Sequence, residues 1–266
     1  MTDWLSNPLS LFDIRGKVAV LTGASGAFGA LAAQVLAGAG AKPVLAAGNA
    51  DELATVAGKC RALGAEVVEV NRRPDNETEC NAIVQEAVSH FGGLDILVVA
   101  SGMNDIALIN DMSAERFERV MQANVTSSWL MARAAAGVMK AQGRGGRIVL
   151  MSSARGLLGH PAGYSAYCTS KSAVDGMTKA LGCELGGSGI TVNAIAPTVF
   201  RSALTAWMYE DNERARTVRA GFLQRVPKGR LGEPNDLAGP LLFLVSPASE
   251  FYTGHILYAD GGYTAG

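Results

Sequence analysis

The sequence predicts an α/β fold, a doubly wound parallel sheet of about seven strands with helices on both faces. Seven short apolar runs rich in β-branched residues punctuate the chain, and segments with helical spacing separate the early ones. Near-continuous apolar strands joined by helices form parallel sheets covered on both faces, and right-handed crossovers wind such a sheet doubly. Glycine accounts for 32 of 266 residues and is dispersed, as many strand–helix turns require.

The strand-like runs are 17–23, 42–47, 65–70, 95–101, 146–153, 190–197 and 255–261. Helical spacing covers 27–39, 50–63 and 76–91, and two later helices rich in Ala, Met and Val are expected around 111–140 and 165–185. Pro43 lacks an N–H, so it is expected to start its strand. His90, before Gly92 and Gly93, is expected to interact with the C-terminal end of its helix. No repeat, low-complexity segment or linker divides the chain, so residues 1–266 read as one domain.

Hydrophobic residues make up 48% and charged residues 18%, enough apolar material for a sizeable core. The net charge of −1 gives no basic excess for nucleic acid. The N-terminal stretch carries Asp3, Pro8 and Asp13 and no apolar signal core, and no run has the form of a membrane span. Cys60, Cys80, Cys168 and Cys183 lack C-x-x-C spacing, as expected of reduced thiols. A cytoplasmic protein with no membrane, nucleic-acid or metal partner is the expectation.

VAVLTGASGAFGALAAQVLAGAG reads as strand, glycine-rich turn and helix. Gly23 allows a tight turn and Gly29 lets the helix approach the sheet, while the helix N-terminus offers N–H groups to a pyrophosphate. Downstream, Tyr167 and Lys171 stand four residues apart on a helical segment and so share a face. A tyrosine titrates near ~10, and one acting near neutrality needs about 4 kcal/mol of differential stabilisation. An adjacent ammonium supplies part of it.

Taken in order, TGASGAFG (22–29), DIL (95–97), MQANV (121–125), the SS–loop–YCTSK stretch (152–171), VNAIAP (192–197), 229–246 and 252–264 resemble a short-chain dehydrogenase/reductase of the compact, single-domain Rossmann type over essentially the whole chain. The resemblance implies an NAD(P)-dependent oxidoreductase that transfers hydride between nicotinamide and a secondary alcohol or ketone. By the same resemblance Tyr167 is the general acid/base, and Lys171 lowers its pKa and binds the nicotinamide ribose. Ser153 orients the carbonyl, and Asn124 holds a water linking Lys171 to solvent. Ser153 is chosen over Ser152 by register with Gly156, although the loop to Tyr167 is one residue longer than usual. The implied cofactor contacts are Gly23, Ser25, Phe28, Gly29, Ala47, Gly48, Asn71, Arg72, Ala100, Gly102, Tyr167, Lys171, Pro197, Phe200 and Ser202.

The chain departs from the family pattern at four places. Ala27 replaces a glycine of the turn, and Val99-Ala100-Ser101-Gly102 replaces Asn-Asn-Ala-Gly. Asn71, followed by Arg72 and Arg73, stands where an aspartate is usual, and Thr198 replaces the glycine after Pro197. The second strand ends in Ala47, Gly48 and Asn49, with no acid to repel a 2′-phosphate. The balance leans to NADP over NAD, with Arg72 or Arg73 in reach of the phosphate.

Met103, Asn104, Arg155, His160, Tyr164 and Trp207 are expected to line the substrate pocket, and approximately 198–225 to form its lid. Arg155 and His160 suit a polar or anionic substrate such as a keto sugar or sugar acid. Relatives pair the 111–140 and 165–185 helices, so a homo-oligomer, dimer or tetramer, is expected, with Tyr258 and Tyr263 available for a second interface. A catalytically silent NAD(P)-binding sensor or scaffold is the alternative, opposed by the complete Asn124, Ser153, Tyr167 and Lys171 set. No G-x-S-x-G elbow supports a serine hydrolase. The residues after 197 leave little room for the added domain of a nucleotide-sugar epimerase.

Overall fold

The computed structural model describes residues 4–202 and 205–266. Seven parallel strands form one sheet: β1 (Val18–Thr22), β2 (Lys42–Ala46), β3 (Val68–Val70), β4 (Ile96–Val99), β5 (Gly146–Met151), β6 (Ile190–Pro197) and β7 (Ile256–Ala259). Their spatial order is β3-β2-β1-β4-β5-β6-β7. The winding reverses between β1 and β4, and ligands of open α/β sheets bind in the crevice at the carboxyl ends of strands beside such a reversal.

Each face of the sheet carries its own core. On one side Val20, Leu97, Ile148 and Val192 are buried beneath α3 (Glu77–Phe91), α5 (Ser127–Gln142) and α6 (Ser165–Leu185). On the other, Leu21, Leu45, Val98 and Ile195 pack under α1 (Ala27–Gly38), α2 (Ala50–Ala62) and α8 (Asn235–Val245). Successive strand residues point to opposite faces, so strands covered twice are apolar almost throughout.

Local chemistry sets the helix limits. Asn49 caps α2 by accepting the Asp51 and Glu52 N–H groups, and Asn76 caps α3 through the Glu79 N–H. Gly92 ends α3 in the left-handed region, and His90 in the last turn sets Nδ1 3.0 Å from the Glu86 carbonyl oxygen. The expected 27–39, 50–63 and 76–91 helices are thus present to within a residue.

Three expectations change. Pro43 is the second residue of an interior strand rather than its first. Lys42 donates to the Lys17 carbonyl on the β1 side, and pairing to β3 starts only at Val44 with Val68. Residues alternate sides along a ladder, so Pro43 faces β3 before that strand begins and no hydrogen bond is lost. The 111–140 helix is two helices, α4 (Ala114–Met121) and α5, joined by one π-helical turn at Gln122–Thr126 that contains Asn124. Tyr263 is 2% exposed and stacks on Phe222 of the same chain, 5.2 Å between ring centres, so it is not available to a partner surface.

The expected lid contains a short 3-10 turn at Ala206–Tyr209 and α7 (Glu213–Leu223). Among the described residues no helix is long and apolar enough to cross a membrane, and no cluster of His, Cys, Asp or Glu could hold a metal ion.

Candidate active site

The carboxyl end of β5, the π-helical turn and the first turns of α6 meet at one point. Tyr167 and Lys171 lie one turn apart on α6, as their spacing requires. The Ser153 hydroxyl lies near enough to the Tyr167 phenol to lower its pKa, and its Oγ accepts the Arg155 N–H at 3.1 Å, capping the 3-10 turn Ala154–Gly156. Ser152 points elsewhere, donating to Asp175 Oδ1 at 2.5 Å. Adjacent residues of an extended segment face opposite ways, so only one of the two serines can reach Tyr167. Gly156 sits against Asp175, where a Cβ would lie 2.5 Å from Oδ2.

Asn124 is buried and braces the loop after β4. Its Oδ1 accepts the Met103 N–H at 2.7 Å, while its Nδ2 donates to the Met103 carbonyl and to Ser170 Oγ, each at 2.9 Å. Its backbone carbonyl accepts the Ser128 hydroxyl at 2.7 Å, a contact inside the helical ladder that the π-helical turn rearranges. Asn124 therefore fixes the wall opposite α6.

The Lys171 ammonium donates to the Met151 carbonyl at 2.7 Å and lies 5.6 Å from the centre of the Tyr167 ring. Burial lowers its pKa to about 8, against the opposing charge of Asp175. Burial pushes the Tyr167 phenol up, offset in part by the Ser153 hydrogen bond and the Arg155 charge. Lys171 is not among the causes of that shift, its ammonium being bonded to the Met151 carbonyl. With its native pKa depressed, Lys171 is cationic below about 8 and loses its proton above it. We expect kcat/KM for ketone reduction to be flat at lower pH and to fall through an inflection near 8. Asp175→Asn removes the anion that holds Lys171 protonated, so the inflection should move down; an unmoved profile would separate Asp175 from this titration.

The glycine turn lies beside this group. Gly23, at φ +64°, passes so close to the loop after β4 that a Cβ would lie 2.6 Å from the Ser101 nitrogen. At Gly29 a Cβ would run into the Gly23 carbonyl. The N-cap of α1 is Gly26, with no side-chain cap, and Ala27 is the first helical residue. Ser25 is partly exposed at the tip of the turn, and Phe28 packs into the core beneath α1. Ser101 Oγ lies 3.0 Å from Thr22 Oγ1 and Ala100 N–H donates to the Thr22 carbonyl at 3.2 Å, a β1–β4 tie where the resemblance led us to expect missing asparagines. A Cβ on Gly102 would lie 2.9 Å from Asn124 Oδ1 and 3.9 Å from Lys171 Nζ.

At the other end of the crevice, Asn71 Nδ2 donates to the Ala47 carbonyl at 3.0 Å. Arg72 is ion-paired with Glu79 at 2.8 Å, whereas Arg73 lies across Gly48, whose Cβ would meet Arg73 Cγ at 2.8 Å. A cavity of about 370 Å³ opens here, lined by Arg73, Pro74, Asp75, Ser101, Gly102 and Met103 among others. Pro197 ends β6 with its carbonyl 3.5 Å from Ser153 Oγ. The Phe200 carbonyl accepts the Thr205 hydroxyl, and Ser202 N–H donates to Thr205 Oγ1 at 3.0 Å. Close glycine packing of the turn against the loop after β4, a helix N-terminus with no side-chain cap and a cavity beside that loop fit a dinucleotide laid across the strand ends.

Where the sequence places the substrate pocket, the His160 and Tyr164 rings lie tilted with centres 4.5 Å apart, and Tyr164 meets Tyr167 edge-on at 6.2 Å. Met103 and Asn104 follow Gly102, and Asn104 Oδ1 is buried with no hydrogen-bond partner among the described residues. Trp207, in the segment expected to form the lid, carries the Arg214 guanidinium 5.3 Å from its ring centre. The sequence reading missed Asp175, Arg225 and Thr205, and Ser101 as a brace. Of these only Asp175 had a sequence signal, its i, i+4 spacing from Lys171.

A family model described as enoyl-(acyl carrier protein) reductase matches residues 23–264. An uncharacterized oxidoreductase of Mycobacterium tuberculosis is 48% identical over 97% of this chain and 94% of its own length. A short-chain type dehydrogenase/reductase from Mycobacterium marinum superposes with TM-score 0.88 at 35% identity, covering 97% of this chain and 99% of that one. A gluconate 5-dehydrogenase from Burkholderia cenocepacia J2315, solved in complex with NADP and tartrate, superposes with TM-score 0.90 at 29% identity, covering 98% and 100%. With this fold and site, the chain belongs to the short-chain dehydrogenase/reductase family and is an oxidoreductase.

Proposed function

We propose that this chain interconverts a secondary alcohol and its ketone with NAD(P), with Tyr167 exchanging the proton. The observation that carries the reading is the meeting of Ser153, Tyr167, Lys171 and Asn124 beside the glycine turn. The nicotinamide, when bound, supplies or accepts the hydride. Ser153 can hold the substrate oxygen against the Tyr167 hydroxyl, and that phenol gives the oxygen a proton or takes one. Lys171 stays cationic below about 8, holds the nicotinamide ribose, and refills or drains the proton. Positioned acid–base groups of this kind are worth on the order of 10²–10⁴-fold. The unpartnered Asn104 Oδ1, together with His160 and Tyr164, gives the substrate pocket a polar wall suited to a hydroxylated, sugar-like molecule. We also infer a homo-oligomer that pairs α5 and α6, on which Trp129 is 43% exposed.

NADP is the better cofactor in this reading, and Arg73 is the reason. Ala47, Gly48 and Asn49 place no acid at the end of β2, and Arg73 lies over Gly48 with no ion-pair partner among the described residues. Arg72 is held by Glu79. A guanidinium–phosphate contact is worth about 1.5–3 kcal/mol, or roughly 10- to 100-fold in affinity. Titration of NADPH and NADH into the protein, followed by a ketone panel, tests the reading. Arg73→Glu should weaken NADPH by at least that factor and leave NADH within a few-fold. Equal losses for both dinucleotides would remove Arg73 from cofactor choice, and tight binding without turnover of any ketone would favour the silent alternative.

A further inference from the structure

Most arginines of this chain are matched to carboxylates, as in Arg15–Asp13, Arg61–Glu69, Arg116–Asp105, Arg147–Glu250, Arg201–Glu233 and Arg230–Asp236. Arg155 and Arg225 are exceptions among the described residues, and they meet at one place. Arg155 Nη2 donates to the Tyr263 hydroxyl at 2.9 Å and Nη1 to the Gly159 carbonyl at 2.8 Å. The Arg225 guanidinium lies 4.5 Å from the Tyr263 ring centre, and that of Arg155 lies 5.4 Å away. Two cations set on one buried aromatic ring, far apart in sequence, repel each other unless an anion joins them.

The ring that gathers them is itself fixed. Asp260 accepts the Gly262 and Thr264 N–H groups at 2.9 Å each and the Thr264 hydroxyl at 2.6 Å, so its carboxylate is committed to the turn that presents Tyr263. Arg155 stands two residues after Ser153, and its backbone N–H is bound to the Ser153 hydroxyl. His160 completes the group and touches Tyr164, which in turn touches Tyr167. Burial, and after it the charges of Arg155 and Arg225, hold the His160 imidazole below its ordinary range. Its Nδ1 accepts the Ala162 N–H at 3.2 Å, so the neutral ring carries its proton on Nε2 as a donor. His160 thus adds a neutral donor beside the two guanidinium groups, one ring contact away from Tyr164.

We propose that Arg155 and Arg225 form a carboxylate clamp, which makes the substrate a hydroxy acid or keto acid, bound by its anionic end with its carbinol or carbonyl carbon at Tyr167. The clamp rests on the oxidoreductase reading above and assigns the substrate class within it. Planar guanidinium groups match a carboxylate bidentately, and each such charged contact contributes roughly 10- to 100-fold. Arg155 keeps Nε and one hydrogen on each Nη beyond its two fixed bonds, and Arg225 has no ion pair to break.

The test is calorimetric titration of the protein saturated with whichever oxidised dinucleotide it binds, a state that cannot reduce a ketone. The probes are acetoacetate, levulinate and 5-oxohexanoate, each beside its methyl ester. We expect at least one acid to bind about 10- to 100-fold more tightly than its ester, and kcat/KM with reduced cofactor to show the same preference. Arg225→Gln, an exposed position, should collapse that ratio toward one through KM, and Arg155→Lys should reduce it while cofactor affinity is retained. Esters binding as well as acids, no acid binding at all, or an unchanged ratio in Arg225→Gln would overturn the clamp while turnover of neutral ketones upheld the oxidoreductase reading. A protein that binds neither dinucleotide would overturn both.

Discussion

Tyr167→Phe is expected to bind NADPH with nearly the wild-type Kd and to lose about 10³-fold or more in kcat. The substitution removes one hydroxyl and leaves the ring, so the edge-on contact with Tyr164 and the packing over Lys171 persist. In the proposed mechanism the lost hydroxyl is the one that gives a proton to an oxygen held by Ser153. Lys171 donates to the Met151 carbonyl, and the His160 ring lies against Tyr164. Loss of a positioned acid–base group costs on the order of 10²–10⁴-fold. Stopped-flow traces of cofactor absorbance, with cofactor affinity measured separately, would check this. A variant that keeps even a tenth of wild-type turnover would mean that another group moves the proton.

The second large effect separates neighbouring serines. Ser153→Ala should lower kcat by about 10²–10³-fold, the range for loss of one donor to a reacting oxygen. Ser152→Ala should cost a few-fold at most in kcat but should lower thermal stability. Its hydroxyl is the hydrogen-bond donor to the buried Asp175 carboxylate, and an unsatisfied buried acceptor costs about 1–3 kcal/mol. The melting midpoint and kcat should therefore move in different variants. If both serines gave equal, small losses in rate, the β5–α6 connection would be in a different register during catalysis.

These two residues also show where sequence reading stops. The strands, the glycine turn and the Tyr167–Lys171 pair were legible because each depends on a short-range period or a backbone need. A strand buried on both faces is apolar throughout, a tight approach leaves no room for a Cβ, and residues four apart share a helix face. Choosing Ser153 over Ser152 relied on counting across a loop longer than usual. In the structure, extended backbone sets the Ser153 hydroxyl near Tyr167 and turns that of Ser152 to Asp175. Between Arg72 and Arg73 the sequence offered two equal charges, and only the folded chain shows Glu79 paired with the first.

The π-helical turn at Asn124 was invisible for a related reason. Its residues suit an ordinary helix, and the wider turn reflects contacts with Met103 and Ser170, far along the chain. Likewise the Thr22–Ser101 tie has no local signature, because two hydroxyls meet only once β1 and β4 are neighbours.

The sequence by itself therefore determined the parallel α/β sheet, the crevice at its strand ends and the helix that carries Tyr167 and Lys171. Tertiary structure alone decided what surrounds them: Lys171 drawn to Met151, Arg73 laid over Gly48, and Arg155 and Arg225 brought to one ring. The physical reason is range. Periodicity and backbone sterics act over a few residues and are written locally, whereas charge pairing and hydrogen bonding depend on which distant side chains share a space, and that follows only from the folded chain.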